Sequence, residues 1–90
     1  MDPDSQEHND RFQRTLIDFL NTQLDVGFMF CRDARLEKHL TEEGDYALCK
    51  ENAQVALDTV LRFDDRVENA ETSAAIRTRV GELKRLLSEL

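Results

Sequence analysis

Residues 67–76 read Val-Glu-Asn-Ala-Glu-Thr-Ser-Ala-Ala-Ile, and they separate two apolar stripes that cannot share one face of a helix. The first stripe consists of Tyr46, Cys49, Ala53, Ala56, Val60, Phe63 and Val67, and the second of Ile76, Val80, Leu83, Leu87 and Leu90. On one straight helix the second stripe would be rotated by roughly 160° from the first. We therefore expect a break within 69–73, where Asn69, Thr72 and Ser73 can cap a new helix start. The stretch contains no glycine or proline, so a kinked continuous helix is the alternative.

The composition predicts an all-α fold and argues against two classes of partner. Three glycines and one proline in 90 residues leave little turn or strand signal. A formal net charge of -7 repels nucleic acid and anionic membrane surfaces, so we expect binding to neither. The acidic first residues do not resemble a signal peptide, and residues 28–31 are too few to span a bilayer. Two cysteines without CxxC spacing favour free thiols and a cytoplasmic location.

Three helices are expected, at 5–43, 45–68 and 73–90, with residues 1–4 disordered. Asp4 and Glu7 have the spacing of a capping box at the first helix start. Gly44 is a natural helix stop, and Asp45 can cap the next helix. The chain would fold as a single three-helix antiparallel bundle with a long first helix.

The first helix keeps one apolar phase over a length of nearly 60 Å. Its stripe consists of Phe12, Leu16, Phe19, Leu20, Gln23, Val26, Gly27, Phe30 and Ala34. Such a length favours a break around 25–27, whereas the unbroken phase argues against one, and Gly27 can equally mark the close approach of another helix. Phe28 and Met29 add apolar surface to the polar side, which predicts burial by more than one neighbour.

The turn into the second helix places Gly44-Asp45-Tyr46 before Cys49, Ala53 and Ala56-Leu57. This stretch resembles the second half of a tetratricopeptide repeat hairpin, and the resemblance covers residues 44–57 only. The family's large aromatic and glycine in the preceding helix are replaced by Asp33 and Glu37, and no second copy follows at the family's period. The resemblance implies protein binding. Independently of it, small residues in the hairpin predict close helix packing, with Cys49 as a small core residue.

Candidate chemical groups are few, and we expect no catalytic residue, cofactor or metal site. His39 lies near Arg35 and Glu43 on the polar side of the first helix, which is typical of a surface histidine. Cys31 next to Arg32 and Arg35 would have a lowered thiol pKa if it were exposed. A thiol- or metal-dependent sensor or enzyme using Cys31 or His39 is therefore the alternative function. A small-ligand carrier with a pocket beneath Phe28 and Phe30 is a third possibility.

Self-association is the leading expectation, because the second helix covers the first only back to about Asn21 and the third helix turns back over the same half. The expected interface consists of Phe12, Leu16, Phe19, Leu20, Phe28 and Met29. The third helix has its apolar residues in an a/d heptad register, which suits packing within the chain or against another helix. The sequence thus favours a non-catalytic protein-interaction module, homodimeric or bound to another protein's helix, that acts as an adaptor or regulatory subunit.

Overall fold

A computed structural model describes the backbone of residues 3–40 and 45–90, and the side chains of residues 5–38 and 45–90. Its helices are α1 (Pro3–Leu40), α2 (Tyr46–Phe63) and α3 (Ala70–Ser88), with a short 3-10 helix at Asp64–Arg66. The described residues contain no strand, so the predicted all-α three-helix bundle is confirmed. The expectation that residues 1–4 precede the first helix is wrong for Pro3 and Asp4, which lie inside α1. The predicted stop at Gly44 and residues 1 and 2 lie outside the described residues.

Helix α1 continues without interruption through Gly27, so the alternative of a break at 25–27 is wrong. A Cβ added at Gly27 would lie 2.7 Å from Cδ2 of Leu83 and 3.6 Å from Cβ of Ala56. Both α2 and α3 therefore lie close to α1 at this level. Gly27 therefore allows the helices to pack closely, which was the second of the two interpretations of this glycine in the sequence.

The break between the last two helices comes earlier than the sequence predicts. Helix α2 ends at Phe63, and Val67 has extended backbone torsions of φ -74° and ψ 120°. Helix α3 then begins at Ala70, with the Asn69 side chain accepting a hydrogen bond from the Thr72 N–H at 2.9 Å. The ranges 45–68 and 73–90 are thus wrong at the break, whereas the capping role of Asn69 is confirmed. Val67 is buried although it lies outside a helix, so its apolar phase does not mark the end of α2.

The connecting segment 64–69, a 3-10 turn followed by extended residues, carries the chain along α1 toward the N-terminal part of that helix. The Gln13 side chain donates to the carbonyl oxygen of Arg66 and accepts from the N–H of Glu68, both at 3.0 Å. Asn9 donates to the Glu68 carboxylate at 3.0 Å. Gln13 thereby hydrogen-bonds one carbonyl and one N–H of the segment between α2 and α3, as the peptide group of a neighbouring chain segment would.

Because of this segment, α3 starts level with the N-terminal half of α1 and runs beside it in the same direction. The buried residues of α3 are Ile76, Val80, Leu83 and Leu87, as predicted, so its heptad stripe packs within the chain. Leu16 and Leu20 are buried as well. The prediction that both would remain partly exposed is wrong, because it placed α3 over the C-terminal half of α1, which α2 already covers.

The hairpin between α1 and α2 is closely packed, as predicted, with Ala34, Ala53 and Ala56 all buried. Cys49 is half-exposed, so its predicted role as a core residue is wrong. Asp45 stands at the N-cap of α2 but its side chain makes no capping hydrogen bond. None of the described helices is both long and apolar enough to cross a membrane.

Candidate functional site

Cys31 is a buried free thiol in the core of the bundle. Burial raises the pKa of the Cys31 thiol above its ordinary value, and the nearby Arg35 guanidinium opposes this only in part. The thiol-sensor alternative needs an exposed thiol with a lowered pKa. Cys31 meets neither condition.

Cys49 is a second free thiol, half-exposed near the start of α2. Partial burial raises the pKa of the Cys49 thiol, and the carboxylates of Asp33, Asp45 and Glu37 raise it further. A thiolate is therefore disfavoured at this position too. The same electrostatic effect shows that acidic side chains gather where α1 ends and α2 begins.

Of the two histidines, the structure describes the side chain of His8 only. The side chain of His39 lies outside the described residues, and His8 is exposed near the start of α1. Within the part of the chain that the structure describes, no three His, Cys, Asp or Glu side chains are grouped so that they could hold a metal ion.

Phe28 and Phe30, the pair proposed to cover a ligand pocket, lie on opposite flanks of α1. Phe28 faces α3, where the Arg79 guanidinium lies 5.4 Å from the centre of its ring. Arg79 also forms an ion pair with Asp25 and donates to Asn21 at 2.8 Å. A small cleft beside Phe28 is lined by Cys31, Arg32, Arg35 and Leu86, and it does not extend beneath Phe30.

The most unusual surface of the molecule is the side of α1 and α2 that points away from α3. We call it the α1–α2 face. It consists of Phe12, Thr15, Phe19, Thr22, Val26, Met29, Asp33 and Leu36 from α1, and Leu48, Asn52, Val55, Thr59 and Arg62 from α2. All of these side chains are exposed or half-exposed.

Exposed apolar side chains are concentrated on this face. Among the described residues, seven large hydrophobic side chains are exposed: Phe12, Phe19, Met29, Leu36, Leu48, Val55 and Leu61. Six of the seven belong to the α1–α2 face, with exposures from 39% for Met29 to 56% for Val55. Single exposed hydrophobic residues are normal on a protein surface, but a contiguous group marks an interaction site.

Charge is almost absent from the same face. Only Asp33 and Arg62 among its thirteen residues are charged, although 34% of the whole chain is. By contrast, the exposed residues of α3 include Arg77, Glu82, Lys84 and Arg85. Depletion of charge together with exposed aromatic residues is typical of the centre of a protein–protein interface.

Both helices present this face in a heptad register. The residues of α1 recur at alternating spacings of three and four from Phe12 to Leu36, and those of α2 do so from Leu48 to Arg62. This spacing keeps a stripe in line with a facing helix, as in coiled coils. This heptad pattern is present in the sequence. It adjoins the stripe of core residues, so the prediction from sequence did not distinguish the two stripes.

The residues predicted for the interface divide into two groups. Phe12, Phe19 and Met29 lie on the α1–α2 face. Leu16 and Leu20 lie in the core of the single chain, and Phe28 packs on the flank that faces α3. Sequence reasoning missed the α2 half of the face, above all Leu48 and Val55.

Comparison with known proteins gives no match: no family model fits the chain, and no curated protein or solved structure is detectably similar to it.

Proposed function

We propose that the protein is a non-catalytic helical interaction module, an adaptor or regulatory subunit whose contact surface is the α1–α2 face. The observation that carries the proposal is that, among the residues whose side chains the structure describes, six of the seven exposed large hydrophobic side chains lie on this one face. Burying such side chains stabilises an association by about 25 cal/mol for each Å² of apolar surface removed from water. The partner we propose first is a second copy of the chain.

The structure provides less for the alternative of a thiol- or metal-dependent sensor or enzyme. The Cys31 thiol is buried and its pKa is raised. No side chain with polar atoms is buried among the described residues, so the core offers no dry polar site for chemistry. An active site normally brings together perturbed polar groups in a cleft.

Aspartate substitutions on the face test the proposal. Phe19→Asp and Val55→Asp place a charge in the contact surface, where it is costly to bury. Ala74→Asp is the matched control, because Ala74 is exposed on the outward side of α3. Each tagged variant and the parent protein are used to capture partners from the native cells, and their self-association is measured by light scattering.

We expect Phe19→Asp and Val55→Asp to lose whatever partner the parent protein retains, and Ala74→Asp to keep it. At concentrations too low for association, urea unfolding should change by less than about 0.5 kcal/mol in Val55→Asp and Ala74→Asp, since these sites are exposed, and by more in Phe19→Asp, which also loses the edge contact with Phe63. If all four proteins retain the same partners in the same amounts, the α1–α2 face is not the contact surface. Loss of an enzymatic activity in Cys31→Ala alone would favour the sensor alternative.

A further inference from the structure

We infer that two copies of the chain pack face to face in antiparallel orientation, with the two-fold axis crossing the helices at the level of Gly27 and Ala56. In this arrangement α1 of one chain packs against α1 of the other chain, and α2 packs against α2. Arg62 of each chain meets Glu51 of the other. The inference rests on the proposed function and specifies both the partner and its orientation.

The surface area of the single chain supports a second copy as the partner. The accessible surface is 6267 Å², whereas a compact monomer of 10.4 kDa is expected to expose about 5400 Å². The radius of gyration, 16.1 Å, likewise exceeds the value of about 12 Å expected for 90 residues. The excess surface is close to the area of about 800 Å² that each partner buries in a stable interface of standard size.

The level of the axis is defined by Gly27 and Ala56, which face each other across α1 and α2. A Cβ at Gly27 would lie 3.6 Å from Cβ of Ala56, so these two residues are level. Arg62 is six residues beyond Ala56 and Glu51 is five residues before it. At a rise of about 1.5 Å per residue, the two side chains lie about equally far from this level in opposite directions.

Glu51 and Arg62 also share one edge of α2. They are eleven residues apart, which is about three helical turns. Both are exposed, and neither forms an ion pair with another described residue. Asp58, which lies between them, accepts a hydrogen bond from Gln54 at 2.9 Å on the side away from the face. An antiparallel α2 pair therefore brings Arg62 against the oppositely charged Glu51 twice in each dimer.

The other face-to-face arrangement brings like charges together. If the axis ran along the helices, α1 of one copy would lie on α2 of the second copy at the same level. Asp33 is six residues beyond Gly27 and so stands level with Glu51. Asp33 lies on the α1–α2 face and Glu51 at its edge, and both side chains are acidic. In this arrangement Asp33 of one copy would face Glu51 of the other, which is unfavourable.

Charge reversal tests the arrangement in the full chain. Dimer dissociation constants are measured by sedimentation equilibrium for the parent protein, Glu51→Arg, Arg62→Glu and the double variant that exchanges the two charges. Arg77→Glu, which reverses an exposed charge on α3, is the matched control. Circular dichroism and urea unfolding confirm that each protein is folded.

We expect each single reversal to weaken dimerisation about tenfold, because two attractive contacts become repulsive. The double variant should return to within about threefold of the parent protein, and Arg77→Glu should not differ from it by more than that. Tighter association of Glu51→Arg would overturn the orientation in favour of the parallel axis, and so would failure of the double variant to recover.

A parent protein that stays monomeric at about 500 μM, weaker than a specific interface of standard size allows, would overturn the inference. That result would leave the proposed function standing if Phe19→Asp, but not Ala74→Asp, still loses a captured partner. If the parent protein is monomeric and Phe19→Asp captures the same partners as Ala74→Asp, the inference and the proposed function are both rejected.

Discussion

At the scale of single residues, burial of Cys31 and partial burial of Cys49 link the stability of the fold to pH. The pKa values of both thiols are raised in the folded protein. The folded state therefore keeps protons that the unfolded chain loses above its thiol pKa of about 8.5. Since the unfolded state then binds fewer protons, the free energy of unfolding falls as the pH rises.

We predict that the free energy of unfolding decreases between about pH 7.5 and about pH 9.5, and that the variant Cys31→Ala/Cys49→Ala loses most of this decrease. Urea unfolding of both proteins across this range provides the measurement. The variant will be less stable at neutral pH because Cys31 fills core space, so the slope against pH is compared and not the absolute value. A parent protein of constant stability over the range would contradict the prediction.

Two glycines in helices should respond oppositely to alanine. At Gly81 an added Cβ meets nothing within 4 Å, so Gly81→Ala should stabilise the protein by about 0.5 to 1 kcal/mol through helix propensity. At Gly27 it would lie 2.7 Å from Cδ2 of Leu83, so the fully buried Leu83 side chain would have to shift. Overpacking then outweighs propensity, and Gly27→Ala should destabilise by about 1 kcal/mol. Urea unfolding that shows the same sign for both would refute this packing account.

At the scale of elements, the segment 64–69 depends on one side chain of α1. Gln13 pairs with the backbone groups of Arg66 and Glu68, so Gln13→Ala should cost about 1 to 2 kcal/mol. Amide hydrogen exchange at Glu68 should become faster. Gln6→Ala is the control, because Gln6 bonds only to Asp10 within its own helix and should cost less than about 0.5 kcal/mol. Equal effects of the two substitutions would show that the segment is held by apolar packing alone.

At the scale of the whole molecule, a single chain forms a rod with extents of 60 × 18 × 15 Å, and its length is that of α1. A bundle so narrow has little interior, so association should contribute to its stability. We predict that the midpoint of thermal unfolding rises with protein concentration, because partner binding favours the folded state by mass action.

Differential scanning calorimetry at concentrations spanning about a hundredfold measures this rise, with light scattering reporting a species of about 21 kDa, twice the 10.4 kDa chain. Phe19→Asp should remove the concentration dependence, and Ala74→Asp should preserve it. A midpoint independent of concentration in the parent protein would mean that the single chain is the stable unit.

The periodicity of the sequence was sufficient to predict the inward residues of α3, whereas Asn69 was one of three candidate caps and the close approach at Gly27 was one of two alternatives. These features are local, because a helix places its side chains at a fixed angle and its first N–H groups need an acceptor. The half of the face that lies on α1 was also predicted in part, through Phe12, Phe19 and Met29.

The sequence by itself determined that the chain is helical and acidic and that a helix break precedes Ile76, since helix propensity, charge and apolar phase depend only on nearby residues. Only the tertiary structure decided which part of α1 is covered. Gln13 holds the connecting segment 64–69 from far along the chain, which lets α3 start beside the N-terminal half of α1 and bury Leu16 and Leu20. It also decided that Leu48 and Val55 lie beside Phe19 and Met29 on one face, because a helical period shows the side on which a residue lies but not the neighbouring helix that it meets.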